Sequence, residues 1–133
     1  MNRSYYIILA DEHPRFRQAL KAALEEIPGV RVTGEAGSWD GLLELLGQSR
    51  PAMVIMDVRL PRPGPIKGTQ LLKRRYPGLK VLITVMDWGK EYLFSGLAAG
   101  ADGVFAKQYM DGEIFGAIGA IHQGKIQPPT PEG

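Results

Sequence analysis

The feature of this sequence that most constrains its fold is a short apolar run ending on a carboxylate. Met53-Val54-Ile55-Met56 leads directly to Asp57, and prolines bound the segment at positions 51 and 61. A strand that is buried on both faces has a continuous apolar run, whereas a half-exposed strand alternates. The run therefore predicts a central strand with Asp57 at its carboxyl end. Ligands of open parallel sheets bind in the crevice at that end of the strands.

Four more strands and five helices are predicted along the chain. The other predicted strands are Tyr5–Ala10, Val30–Ala36, Lys80–Val85 and Asp102–Ala106. The predicted helices span Arg15–Glu26, about Gly68–Arg75, Lys90–Ala99 and Glu113–Gln123. One more helix is predicted after Ser38, which would cap it, with its apolar residues from Trp39 to Leu46. An irregular proline-rich loop is predicted at 61–65. Alternating strands and helices predict an α/β fold, a doubly wound five-stranded parallel sheet covered on both faces. The usual strand order for such a chain is 2-1-3-4-5, the flavodoxin-like arrangement.

Composition narrows the class of protein. The chain has 133 residues and no cysteine, so we expect one domain without disulfides or thiolate metal sites, in the cytoplasm. We find no apolar run of membrane-spanning length and expect no membrane partner. A net charge of +2 is too small to predict nucleic-acid binding by this domain alone. We expect a domain over residues 1–124, followed by a proline-containing linker at 125–133.

The predicted strand order brings four charged residues to one edge of the sheet. Asp11 and Glu12 follow the first strand, beside Asp57, and Lys107 follows the fifth. Carboxylates this close favour a bound cation, and oxygen-only ligands select Mg²⁺ or Mn²⁺. A carboxylate beside such a metal can attack a phosphoryl group, and Lys107 could neutralise the transferred charge. The alternative is an acidic loop cluster that pairs with Lys107 and has no activity.

Three motifs give the chain a resemblance to a known family. They are Leu9-Ala10-Asp11-Glu12-His13-Pro14, Val54-Ile55-Met56-Asp57-Val58-Arg59-Leu60-Pro61 and Gly100-Ala101-Asp102-Gly103-Val104-Phe105-Ala106-Lys107. From about Tyr5 to Gln123 the chain resembles a response-regulator receiver domain of two-component signalling. The segments 11–20 and 32–37 resemble its NarL/LuxR-type branch.

The resemblance implies a role for each of the charged residues. Asp57 would accept a phosphoryl group from a sensor histidine kinase. Asp11 and Glu12 would hold Mg²⁺, helped by the backbone carbonyl of Arg59, and Lys107 would contact the phosphoryl oxygens. The branch also implies a helix-turn-helix domain after the linker, which would bind DNA, and a possible homodimer.

Both switch positions of the family depart from its pattern here. The Thr or Ser at the end of the fourth strand falls on Val85, and the aromatic residue three before the lysine falls on Val104. Thr84 and Phe105 each lie one residue away from these switch positions. Because successive side chains of a strand point to opposite faces, we expect Thr84 to reach Asp57 only through a bulge or a loop shift.

Three other functions remain open at this point. The valines at the two switch positions favour a pseudo-receiver, an interaction module that acts by dimerisation or partner binding without phosphorylation. A small Mg²⁺-dependent phosphatase or phosphotransferase would use Asp57 too, but Arg59 stands where its second acid is expected. A flavin-binding domain is disfavoured because acids at the strand ends would repel a phosphate without a metal. We therefore expect a phosphoacceptor and not a turnover enzyme.

Overall fold

The fold is a five-stranded parallel sheet with helices on both faces. In a computed structural model of the chain, the described residues are 4–85 and 100–107. The strands are β1 (Tyr5–Ala10), β2 (Val30–Ala36), β3 (Met53–Asp57), β4 (Lys80–Val85) and β5 (Gly103–Ala106). Their order is β2-β1-β3-β4-β5, and every neighbouring pair is parallel. The predicted architecture and strand order are confirmed.

Three helices lie in the described part of the chain. They are α1 (Pro14–Leu24), α2 (Trp39–Gln48) and α3 (Pro65–Arg75). The helices predicted at 90–99 and 113–123, and the linker predicted at 125–133, lie outside the described residues. Of the described helices, none has the length and apolar character needed to cross a membrane.

The local sequence explains where the helices begin. Pro14 and Pro65 stand in the first turn of α1 and α3, where a residue without an N–H is tolerated and its fixed φ suits a helix. The start of α3 corrects our prediction of an irregular segment through position 65, since Pro65 begins the helix. Ser38 caps α2 as predicted, because its side chain accepts a hydrogen bond from the Gly41 N–H at 3.0 Å.

Side-chain alternation along the strands divides the core into two clusters. On one face of the sheet, called the α1 face, strand residues such as Leu9, Ile55 and Phe105 pack with Leu20 and Leu24 of α1. On the opposite face, called the α2–α3 face, the buried residues of the strands pack with those of α2 and α3. That cluster includes Ile8, Ala10, Leu42, Leu46, Val54, Met56, Leu72, Ile83, Val85 and Val104. The fully apolar strands predicted at the centre of the sheet are therefore covered on both sides.

A charged contact ties α3 to the amino-terminal edge of β4 and β5. Lys73 Nζ lies 2.8 Å from Asp102 Oδ2, and it also donates to the Leu79 carbonyl at 2.9 Å. Asp102 Oδ2 accepts a second hydrogen bond from the Val81 N–H at 2.9 Å. This contact holds the segment before β5 against the start of β4, at the end of the strands opposite Lys107.

We predict that Lys73→Met lowers the free energy of unfolding by about 1–3 kcal/mol, because it removes charge-assisted hydrogen bonds at a partly buried site. The matched control is Lys67→Met on the same helix, where the side chain is exposed and the expected change is within about 0.5 kcal/mol. Urea denaturation of both variants measures the difference. Equal losses for the two variants would contradict a stabilising role for this contact.

Candidate functional site

Three of the predicted site residues meet at the carboxyl ends of their strands. Lys107 Nζ lies 2.7 Å from Asp11 Oδ2 and 3.1 Å from Asp57 Oδ1. The side chains of Asp57, Asp11 and Lys107 are 0%, 5% and 10% exposed, so all three charges are largely withdrawn from water. The ends of β1, β3 and β5 therefore share a single ammonium group.

The charges of this cluster do not balance. One ammonium stands between two buried carboxylates, and buried charges are costly unless they are paired. The guanidinium of Arg59 comes within 3.8 Å of Asp57 Oδ2, but its side chain is 47% exposed and screened by solvent. Lys107 Nζ also lies 4.2 Å from the centroid of the Phe16 ring, a cation–π contact from α1. The excess negative charge favours a further cation at this edge of the sheet.

The Asp57 carboxylate is surrounded by donors. Its Oδ2 accepts a hydrogen bond from the Arg59 N–H at 3.0 Å, and its Oδ1 accepts one from the Thr84 hydroxyl at 3.2 Å. The Val58 N–H donates to the Thr84 carbonyl at 2.8 Å, which continues the pairing of β3 with β4 past Asp57. The carboxylate is thus held in one orientation by the ends of both strands.

Our expectation that Thr84 needs a bulge to reach Asp57 is wrong. The pairing of β3 with β4 runs without a shift in register, and Asp57 is the direct partner of Thr84. Partners in a parallel pair point to the same face, so both side chains lie on the α1 face. Counting along the family pattern puts the switch position on Val85, and it does not show that the neighbouring Thr84 faces the carboxylate.

The other switch positions lie away from the carboxylate. Val85 and Val104 are 1% and 2% exposed and belong to the cluster on the α2–α3 face. Phe105 is fully buried on the α1 face and is the β5 partner of Thr84. The hydroxyl beside Asp57 therefore comes from Thr84, while both valines contribute to the core on the opposite face.

Glu12 does not join the cluster, which corrects the predicted convergence of three carboxylates. Asp11 is buried, whereas Glu12 is exposed, because successive residues of an extended segment point in opposite directions. Within residues 4–85 and 100–107, no group of three or more acidic, histidine or cysteine side chains is close enough to hold a metal ion. The remaining pair, Asp11 and Asp57, still fits Mg²⁺, which usually takes one or two carboxylates and keeps several waters.

Asp11 is fixed by contacts that the sequence did not reveal. Its N–H donates to the Ala36 carbonyl at 2.9 Å, and its Oδ1 accepts a hydrogen bond from the His13 N–H at 2.9 Å. Its carbonyl accepts a hydrogen bond from Arg17 Nη1. From the sequence, no role in the site is predicted for either Phe16 or Arg17. The spacing of Phe16 and Arg17 after Asp11 was the available signal, since it places both in the first turns of the helix that follows this acid.

Comparison with known proteins agrees with this geometry. Residues 7–119 match the family described as "Response regulator receiver domain". The "Uncharacterized transcriptional regulatory protein YxjL" of Bacillus subtilis is 30% identical over 119 residues, which cover 90% of this chain and 55% of that protein. The chain thus spans about half the length of the curated relatives it matches.

Solved structures give the same result. A two-component response regulator of the LuxR family from Aurantimonas sp. SI85-9A1 superimposes with a TM-score of 0.86 at 31% identity, covering 92% of this chain and 88% of that one. The RcsB response regulator of Salmonella typhimurium, in a study of DNA interaction, gives a TM-score of 0.89 at 26% identity, covering 97% and 64%. The chain belongs to the response regulator receiver domain family of two-component signalling, and its homologues are response regulators of the LuxR/NarL type.

Proposed function

We propose that Asp57 accepts a phosphoryl group from the phosphohistidine of a sensor histidine kinase. The observation that carries this proposal is the buried Asp57 carboxylate at the end of β3, in contact with Lys107 and Thr84. A carboxylate oxygen of Asp57 would form the new O–P bond while the N–P bond of the phosphohistidine breaks, and the imidazole would leave. The chain accepts the group once and is not a turnover enzyme.

The donors around Asp57 suit the charge that develops during this transfer. Lys107, Thr84 and the Arg59 N–H already point at the carboxylate, so they need little reorganisation to meet the equatorial oxygens of the phosphoryl group. Lys107 would exchange part of its pairing with Asp57 for the incoming negative charge. The Phe16 ring, 4.2 Å from Nζ, keeps the ammonium at the site during that exchange.

Receiver domains generally use Mg²⁺, and we propose the same for this chain. Asp11 and Asp57 would bind the ion directly, with the Arg59 carbonyl as a third oxygen and Glu12 acting from the solvent side; Mn²⁺ could replace Mg²⁺. When bound, the ion neutralises charge on the phosphoryl oxygens. Its support here is the excess of carboxylates over ammonium groups in a buried cluster.

The parent protein, we propose, is a cytoplasmic transcription regulator. Residues 1–124 would form the regulatory domain and 125–133 a linker to a DNA-binding helix-turn-helix domain. The support is the coverage of about half of each curated relative, together with the transcriptional role in the name of YxjL. Phosphorylation would act through a homodimer, and DNA would be bound only by the output domain.

A pseudo-receiver is the second candidate function, and Val85 and Val104 favour it. Both lie buried on the α2–α3 face, where neither offers a hydroxyl or an aromatic ring that could respond to the state of Asp57. Such a module would bind its partner without accepting phosphate.

We predict that the intact mass increases by one phosphoryl group after incubation with acetyl phosphate and Mg²⁺. Asp57→Asn is expected to abolish this increase, because the amide cannot act as the nucleophile. Asp40→Asn is the matched control, since Asp40 is an exposed acid on α2 and should leave the increase intact. No mass increase in a folded wild-type protein would sink the phosphoacceptor proposal and support the pseudo-receiver.

A second prediction concerns the hydroxyl of Thr84. Thr84→Val removes the donor to Asp57 Oδ1 with little change in shape, and we expect phosphoryl uptake to slow by about fivefold, the equivalent of about 1 kcal/mol. Uptake is followed by intact mass against time.

The control for Thr84 is Val85→Thr, which places a hydroxyl on the opposite face of β4. It should lower the free energy of unfolding by about 1–3 kcal/mol, because the hydroxyl enters an apolar cluster. Combined with Thr84→Val, it should not restore the rate of uptake. Restored uptake in the double variant would show that position 85 faces the carboxylate after all.

A further inference from the structure

We propose that Arg17 is a positioning residue for the acidic turn after β1. Through its guanidinium it would fix Asp11 and Glu12 in the orientation that binds Mg²⁺. This inference rests on the proposed function, since the turn contributes to phosphoryl transfer only if the ion binds there. It assigns a role in that site to a side chain that contacts neither Asp57 nor any side-chain oxygen of Asp11.

The guanidinium of Arg17 connects three elements. Its Nη1 donates to the main-chain carbonyl of Asp11, at the point where the chain leaves β1. Its Nε lies 3.2 Å from Glu35 Oε1 on β2, and the side chains of Arg17 and Glu35 are only 18% and 26% exposed. Because the planar fork of a guanidinium is rigid, holding one end against Glu35 fixes the direction of the other. Glu35 on β2 therefore fixes Arg17 on α1, and Arg17 in turn fixes the Asp11 carbonyl.

Gly37 lies close to the guanidinium of Arg17 and leaves it room. A Cβ at position 37 would stand 3.3 Å from Arg17 Nη1 and 4.0 Å from the Asp11 carbonyl oxygen. The first distance is shorter than an ordinary van der Waals contact, so a side chain here would press on the guanidinium. Gly37, which follows β2, has no side chain at the point where the guanidinium passes towards Asp11.

With Arg17 in place, the N–H, the carbonyl and one carboxylate oxygen of Asp11 are hydrogen-bonded, and the other carboxylate oxygen is held only by an ion pair with Lys107. The N–H donates to the Ala36 carbonyl, Oδ1 accepts from the His13 N–H, and the carbonyl accepts from Arg17, while Lys107 Nζ lies 2.7 Å from Oδ2. The carboxylate contacts would remain if Arg17 were removed, but the peptide that joins Asp11 to Glu12 would lose its anchor. Because Glu12 is exposed and its orientation depends on that peptide, the loss should fall on metal binding more than on the fold.

The test compares variants of the full chain under matched conditions. Arg17→Met removes both contacts, Arg17→Lys keeps the charge without the fork, and Glu35→Gln weakens only the anchor on β2. Lys73→Met is the control, since it breaks a partly buried ion pair at the opposite end of the strands. The readouts are the amide NMR shifts of Glu12 and His13 without metal, and the dissociation constant from a titration with Mg²⁺ alone.

We expect Arg17→Met to raise the dissociation constant for Mg²⁺ by about tenfold. This is the lower end of the loss in affinity that follows removal of a residue that orients a metal ligand. The Glu12 and His13 amides should shift in the same variant, and Arg17→Lys and Glu35→Gln should give smaller effects of the same sign. Lys73→Met should bind Mg²⁺ as the wild type does, whatever its stability.

Different results would overturn the inference and the proposed function. If the wild type binds Mg²⁺ and Arg17→Met binds it equally well, Arg17 has a structural role alone and the inference fails while the proposed function stands. An equal loss of affinity in Lys73→Met would also overturn it, because general destabilisation would then explain the effect. If the wild type binds no Mg²⁺ and Asp57 takes up no phosphoryl group, both proposals fail together.

Discussion

The structure depends most on one buried ammonium, that of Lys107, placed between the carboxylates of Asp11 and Asp57. Lys107 follows β5, whereas Asp11 follows β1, and the strands β4 and β3 lie between them. The lysine can reach both acids only if each intervening pair of strands has the correct register, since a slip of one residue would turn its side chains to the other face. Errors in sheet pairing would therefore separate charges that are too costly to leave buried and unpaired, which ties the fold to the chemistry of the site.

The two faces of the sheet separate Asp57, the proposed phosphoacceptor, from the valines at the switch positions of the family. Asp57 and Thr84 are register partners whose side chains lie on the α1 face, and Phe105 continues that row into β5. Val85 and Val104 occupy the α2–α3 face, where they pack in an apolar cluster. If phosphorylation displaced Thr84, the backbone of β4 would also displace Val85. That shift would change how Val85 packs in the apolar cluster with α2 and α3. A signal of that kind needs neither a hydroxyl nor an aromatic ring at the two valine positions.

The sequence predicted the strands, their order and the meeting of Asp11, Asp57 and Lys107, because buried apolar runs and strand ends are strong local signals. It failed where the outcome depends on pairing between strands or on the conformation of a single turn. Thr84 was assigned to the wrong face because its direction is set by the register with β3, which no local pattern contains. Glu12 was placed with the other acids because position after a strand does not show which of two consecutive side chains turns inward. Pro65 was taken as part of a loop, although the same residue type suits the first turn of a helix.

The acidic turn connects the candidate site to parts of the fold that do not contact Asp57. β2 is an edge strand and contributes no side chain to the contacts of Asp57, yet Glu35 on β2 holds Arg17, and Arg17 holds the carbonyl of Asp11. This path requires the pairing of β1 with β2, which sets Leu9 opposite Glu35 and Ala10 opposite Ala36. The guanidinium passes close to Gly37, where a Cβ would stand 3.3 Å from Arg17 Nη1 and would have to displace it by a few tenths of an ångström. Under the proposed function, Asp11 needs a fixed backbone as well as a fixed side chain, because the peptide after Asp11 also sets the direction of Glu12. The edge strand and the first helix hold that backbone through Glu35 and Arg17.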